Sequence, residues 1–192
     1  MFNPPTVIPG ERERKCGISS VGANPELIPE RHGRKRREVA DDEEGRIVGG
    51  VEAIPHEFPW QVSIRFMMSH ICGGSLVANR FVITAAHCFT KFLPIQPTAW
   101  KVLLGKHLTS IGERGEIIAD VANILIHEDY GRHPTARHDS DIAIVELAYP
   151  VPFTETVAPI CIPGRAARMF DGTECWVVGW GETYQSNVFD MN

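Results

Sequence analysis

From Trp60 onward the apolar residues fall in short runs of strand length. Trp60-Gln61-Val62-Ser63-Ile64 alternates apolar and polar positions, the period-two pattern of a half-buried strand. Gly73-Gly74-Ser75-Leu76-Val77 and Phe81-Val82-Ile83-Thr84 are β-prone and are split by Asn79-Arg80. Trp100-Lys101-Val102-Leu103-Leu104, Glu116-Ile117-Ile118-Ala119 and Ile142-Ala143-Ile144-Val145 continue the series, and Trp176-Val177-Val178-Gly179-Trp180 ends it. Glycine, proline and asparagine separate the runs, no stretch holds a helical period, and no segment repeats. Short strands punctuated in this way predict an all-β barrel or sandwich.

Residues 1–46 have another texture. Pro4, Pro5, Pro9, Pro25 and Pro29 break any period, and the basic run Arg34-Lys35-Arg36-Arg37 is followed by the acidic run Asp41-Asp42-Glu43-Glu44. A segment with so little apolar surface to bury is expected to be mostly disordered. Its basic run reads either as a solvated linker or as a processing site for a proprotein convertase.

The net charge of −5 does not come from this segment, which holds nine basic and nine acidic residues. It comes from the remaining residues, ten basic against fifteen acidic. A mildly acidic globular part argues against nucleic-acid binding, which calls for a basic face. No apolar run has the length of a membrane-spanning helix.

The five cysteines Cys16, Cys72, Cys88, Cys161 and Cys175 contain no C-x-x-C pair. A zinc site on His70, Cys72, His87 and Cys88 fits poorly, because structural zinc ligands come in closely spaced pairs. Disulfides fit better and place the chain in an oxidising compartment. The start at Met1-Phe2-Asn3 shows no secretion signal, so the native start is expected upstream. No Asn-x-Ser/Thr acceptor is present, so N-glycosylation of this stretch is not expected.

Two residues carry candidate chemistry. His87 ends an apolar run and precedes Cys88. A bridge from Cys72 to Cys88 would close a loop beside it and stabilise the fold by roughly 3 kcal/mol in the chain-entropy model. It would also hold the backbone of a base that must keep one orientation. Asp141 heads the run Ile142-Ala143-Ile144-Val145, and a carboxylate buried there needs a partner. An imidazole N–H would serve, with the carboxylate fixing the tautomer and stabilising the imidazolium. Asp139, two residues earlier, lacks the following apolar run and reads as solvated. A third feature is Arg46-Ile47-Val48-Gly49-Gly50. Cleavage after Arg46 would create an Ile47 ammonium that can be buried only against a carboxylate.

Taken together, Arg46-Ile47-Val48-Gly49-Gly50, Pro59-Trp60-Gln61-Val62, Cys72-Gly73-Gly74-Ser75-Leu76, Thr84-Ala85-Ala86-His87-Cys88, Asp141-Ile142-Ala143, Pro159-Ile160-Cys161-Ile162-Pro163 and Gly179-Trp180-Gly181 resemble the trypsin/chymotrypsin family of serine endopeptidases. The resemblance implies a trypsin-like double β-barrel fold. It places a propeptide-like segment at 1–46, a complete first barrel at 47–150 and a linker at 151–174. Only the first strand of the second barrel, at 175–192, is present. It implies a zymogen cut between Arg46 and Ile47, with His87 as general base and Asp141 as its orienting partner. Cys72 and Cys88 match the family's histidine-loop disulfide. Cys161 matches a cysteine that two-chain members bond to their propeptide, with Cys16 as its partner. Protein or peptide substrates, an activating protease at Arg46 and protease inhibitors are the implied partners, and secretion is the implied location.

The departures from the family pattern are as informative. The family's nucleophile lies in Gly-Asp-Ser-Gly-Gly, and no such string occurs. The only serine after Asp141 is Ser186, in Gln185-Ser186-Asn187. The family partner of Cys175 is likewise not in the sequence, so that cysteine is expected to be unpaired. Lys106 stands in a loop resembling the calcium loop of some members, where binders carry an acid, so calcium is not expected; no other metal and no cofactor is expected either. The chain as written is then expected to be inactive, either as a truncated protease or as a short isoform acting as a binding or decoy protein.

Overall fold

The computed structural model describes residues 16–21, 52–132, 139–164 and 175–180. Six strands form in chain order: β1 (Gln61–Phe66), β2 (Ser69–Ala78), β3 (Phe81–Thr84), β4 (Trp100–Leu104), β5 (Ile117–Ile126) and β6 (Ala143–Leu147). A one-turn helix, α1 (His87–Thr90), follows β3, and a short 3-10 turn spans Pro97–Ala99 before β4.

The strands pair antiparallel into a closed barrel in the order β1-β2-β3-β6-β5-β4. The fold is all-β and closes into a barrel, as the alternating runs predict. Closure leaves no unpaired edge among these strands, which removes the template for unwanted pairing.

Alternation decides what fills the interior. Val62 and Ile64 point inward from β1, Val102 and Leu104 from β4, and Ala143, Val145 and Leu147 from β6, all essentially buried. Leu76 and Val82 complete this layer from β2 and β3. Trp100 caps one side of the core, its ring 4.7 Å from that of Phe89 and within 5.3 Å of Phe66 and Phe92. Phe89 lies on α1, so the core holds the helix that carries His87. These edge-on and tilted rings add to their area burial.

Two turns are set by local chemistry. Met67 and Met68 join β1 to β2 with φ of 47° and 71°, the left-handed pair that a two-residue hairpin demands. Two bonds hold them there: the Met67 amide donates to Ala99 O at 3.0 Å, and Arg65 Nη1 donates to Met68 O at 2.9 Å. Gly74 in β2 has no room for a side chain, since a Cβ would come within 2.9 Å of Val82 Cγ1 and 3.1 Å of Ile83 O.

Two expected elements differ. β5 runs on to Ile126, well past Ala119, through a register irregularity between Val121 and Asn123 that breaks the alternation. Trp176–Trp180 forms no strand among the described residues. A strand exists by virtue of its ladder partner, and the six described strands are already paired with one another. Arg46, Ile47, the charge runs and residues 181–192 lie outside the described residues.

Candidate active site

His87 opens α1 on the rim of the barrel, directly after β3, and Asp141 lies two residues before β6. β3 pairs with β6 so that Thr84 faces Ala143, and this register brings together two residues that are 54 positions apart. Asp141 Oδ2 accepts from His87 Nδ1 at 2.7 Å, and Asp141 Oδ1 accepts from the His87 backbone N–H at 2.9 Å. One carboxylate therefore fixes both the ring and the backbone of the same residue. With Nδ1–H committed to Asp141, the lone pair of neutral His87 is at Nε2, on a side chain 52% exposed. Asp139, the neighbouring acid, is exposed.

Burial is the largest influence on the Asp141 carboxyl and pushes it upward. The bonds from the His87 ring and from the His87 and Ala86 amides, together with the imidazole charge, outweigh it and hold the carboxyl below the ordinary aspartate range. A depressed folded value stabilises the fold above the ordinary range, and that stability is lost as pH falls through the lowered value. The stability of wild type over Asp141→Asn is therefore expected to grow as pH rises through the acidic carboxylate range and to be lost as pH falls through the lowered value. Thermal unfolding of both chains across this window checks it, and a pH-independent difference would show that the carboxylate is not so held.

Cys72 and Cys88 form a disulfide with Cα atoms 6.2 Å apart, joining β2 to α1 beside His87. Cys72, His87 and Cys88 make one cluster with ligand-like spacing. Both sulfurs are bonded to each other, so neither is the thiolate that a zinc ion needs. Cys16 is bonded to Cys161 across 145 positions. Gly17 N donates to Pro159 O at 2.8 Å and Ser20 Oγ to Glu155 O at 2.7 Å, so residues 16–21 lie along the chain that follows β6. Cys175 is exposed and belongs to neither bridge.

Residues 47–191 match the trypsin family model. The chain belongs to the trypsin family. This trypsin-family chain is 36% identical over 149 residues to human transmembrane protease serine 5. That stretch is 77% of this chain and 31% of the relative, so the chain spans under a third of the length of the protein it matches. Among the described residues no helix is long and apolar enough to cross a membrane.

Two clusters around the trypsin-family barrel are not visible in the one-dimensional pattern. In the first, Ser63 is fully buried and its Oγ lies 2.8 Å from His70 Nδ1, while Arg65 Nε donates to the same oxygen at 3.2 Å. Burial, then the Arg65 charge, holds the His70 imidazole below its ordinary pKa. A serine inside an alternating run is the only hint the sequence offers. In the second, Lys106 is 2% exposed at its side chain and donates to Glu116 Oε2 at 2.8 Å and to Ile111 O, with Glu113 Oε2 3.7 Å away. The Lys106 bond first, then the Glu113 amide, holds the Glu116 carboxyl below its ordinary range against a contrary push from burial. Both loop carboxylates are thus already partnered by an internal cation.

Proposed function

We propose that this chain supplies the general base and its orienting acid to a serine endopeptidase that is made as a zymogen. The observation that carries the reading is the double grip of Asp141 on His87, through Nδ1 at 2.7 Å and the backbone amide at 2.9 Å. In that arrangement His87 Nε2 takes the proton of an attacking serine hydroxyl and returns it to the leaving amine. Asp141 keeps the tautomer that makes Nε2 the basic nitrogen and stabilises the imidazolium between the two transfers. The family's nucleophile motif is not among the 192 residues, so these residues alone form no acyl-enzyme.

In this reading, cleavage after Arg46 creates the Ile47 ammonium that the mature enzyme buries. The bridge from Cys16 to Cys161 then retains the upstream segment. Two disulfides are consistent with work outside the cytosol. The substrates are proteins or peptides.

Labelling with a fluorophosphonate tests the proposal. A chain extended through a nucleophile-bearing second barrel and cut after Arg46 is expected to label, and the 192-residue chain is not. Failure of the cut, extended chain to label would sink it. A second reading, a non-catalytic binding or decoy protein, draws on the closed barrel, which has no open edge to protect. Cooperative unfolding of residues 47–192 alone would favour that reading, and a molten, aggregating product would count against it.

A further inference from the structure

Trp180 is seated on the first barrel by two contacts that involve neither His87 nor Asp141. Its indole Nε1–H donates to His107 O at 2.6 Å, and its ring stands edge-on to His70 with centroids 5.8 Å apart. The peptide unit that accepts the indole is itself held from the other side. In a trans peptide the C=O of His107 and the N–H of Leu108 point in opposite directions. Leu108 N–H donates to Glu113 Oε2 at 3.2 Å, and His107 N–H donates to the same oxygen at 2.6 Å. A carboxylate taking the N–H end of a peptide polarises it and makes its carbonyl a better acceptor.

The carboxylate in turn is seated by the buried Lys106 ammonium, 3.7 Å from Glu113 Oε2. The contacts then close on themselves. His70 bonds Ser63, Ser63 accepts from Arg65, and Arg65 Nη2 donates to Thr109 O in the same loop as Glu113. The β1–β2 hairpin, loop 106–116 and residues 175–180 are linked in one circuit, with the buried Lys106 ammonium beside its Glu113.

We propose that Glu113, seated by Lys106, is a positioning residue for Trp180. It fixes the His107 carbonyl that receives the indole, and so sets where residues 175–180 leave the first barrel. The inference rests on the protease reading in one respect: there, residues 175–180 lead into the half of the enzyme that carries the nucleophile. Loop 106–116 is then an alignment device between the two halves.

The test is hydrogen exchange on the full 192-residue chain, with the Trp180 indole resonance assigned by its loss in Trp180→Phe. Glu113→Ala is expected to speed exchange of the Trp180 indole N–H about tenfold while the Val102 amide of β4 stays protected. Glu113→Gln, which keeps an acceptor without the charge, is expected to fall between. The reciprocal measurement uses Trp180→Phe, which is expected to speed exchange at the Leu108 amide, because that peptide loses its partner on the opposite side. Should Glu113→Ala unfold the barrel, this second variant still decides. An unchanged indole in a folded Glu113→Ala chain, or a Leu108 amide indifferent to Trp180→Phe, overturns the proposal. Neither readout involves peptide hydrolysis, so a failure to label with fluorophosphonate would overturn the protease reading and leave this one standing.

Discussion

Asp141→Asn is expected to lower kcat about 10⁴-fold in the nucleophile-bearing, Arg46-cut enzyme, with KM little changed. That magnitude is the one known for the Ser-His-Asp triad of this same family, and the distances supply the direction. Asparagine is isosteric, and its amide oxygen can still accept from the His87 backbone N–H, where Asp141 Oδ1 now sits at 2.9 Å. Its NH₂ group, however, replaces the acceptor that faces His87 Nδ1 at 2.7 Å. Two donors cannot face each other, so the imidazole takes the other tautomer, with its lone pair at Nδ1 and its hydrogen at Nε2. The nitrogen that must accept the serine proton is then already protonated. Steady-state kinetics on a peptide substrate measure the loss. A fall in kcat under tenfold would mean that Asp141 does not orient the base.

The limits of the one-dimensional reading follow the same physics. His87 and Asp141 can be picked out because each sits at the end of an apolar run, where a polar side chain reaches the rim of a barrel. The pairing of β3 with β6 that joins them is a property of the closed sheet and has no local mark. The early part of β5 is legible as Ile117-Ile118-Ala119. Its continuation is not, because Asn123 and the register shift beside Val121 interrupt the alternation. Trp176–Trp180 reads as a strand by composition, yet among the described residues Trp180 is held by its indole and not by a ladder. Ser63 and His70 are seven positions apart across a hairpin, and only the register of β1 on β2 brings them into contact.

Lys106 shows the largest gap between residue and role. In the sequence it marks only the place where an acid would be needed to bind calcium. In the fold it is a nearly inaccessible ammonium between Glu113 and Glu116, both less than a quarter exposed. Lys106→Met keeps most of the aliphatic stem and removes the charge. The two carboxylates then lose the ammonium that sits between them, and Ile111 O loses its donor. Removing one partner from a buried ion pair costs about 3–5 kcal/mol. The lower end applies here, since both carboxylates keep some contact with water. Urea unfolding at neutral pH is expected to show that loss as a lower midpoint with an unchanged slope. The Glu116 carboxyl is held below its ordinary range, chiefly by the Lys106 bond. That stability is present above the ordinary carboxylate range and disappears as pH falls through the lowered value, so the gap between wild type and Lys106→Met should narrow in acid. Adding Glu116→Gln to Lys106→Met should recover part of the loss, because one of the two unpaired charges is gone. A double variant as unstable as the single one would show that the stem of Lys106, and not its charge, holds the loop.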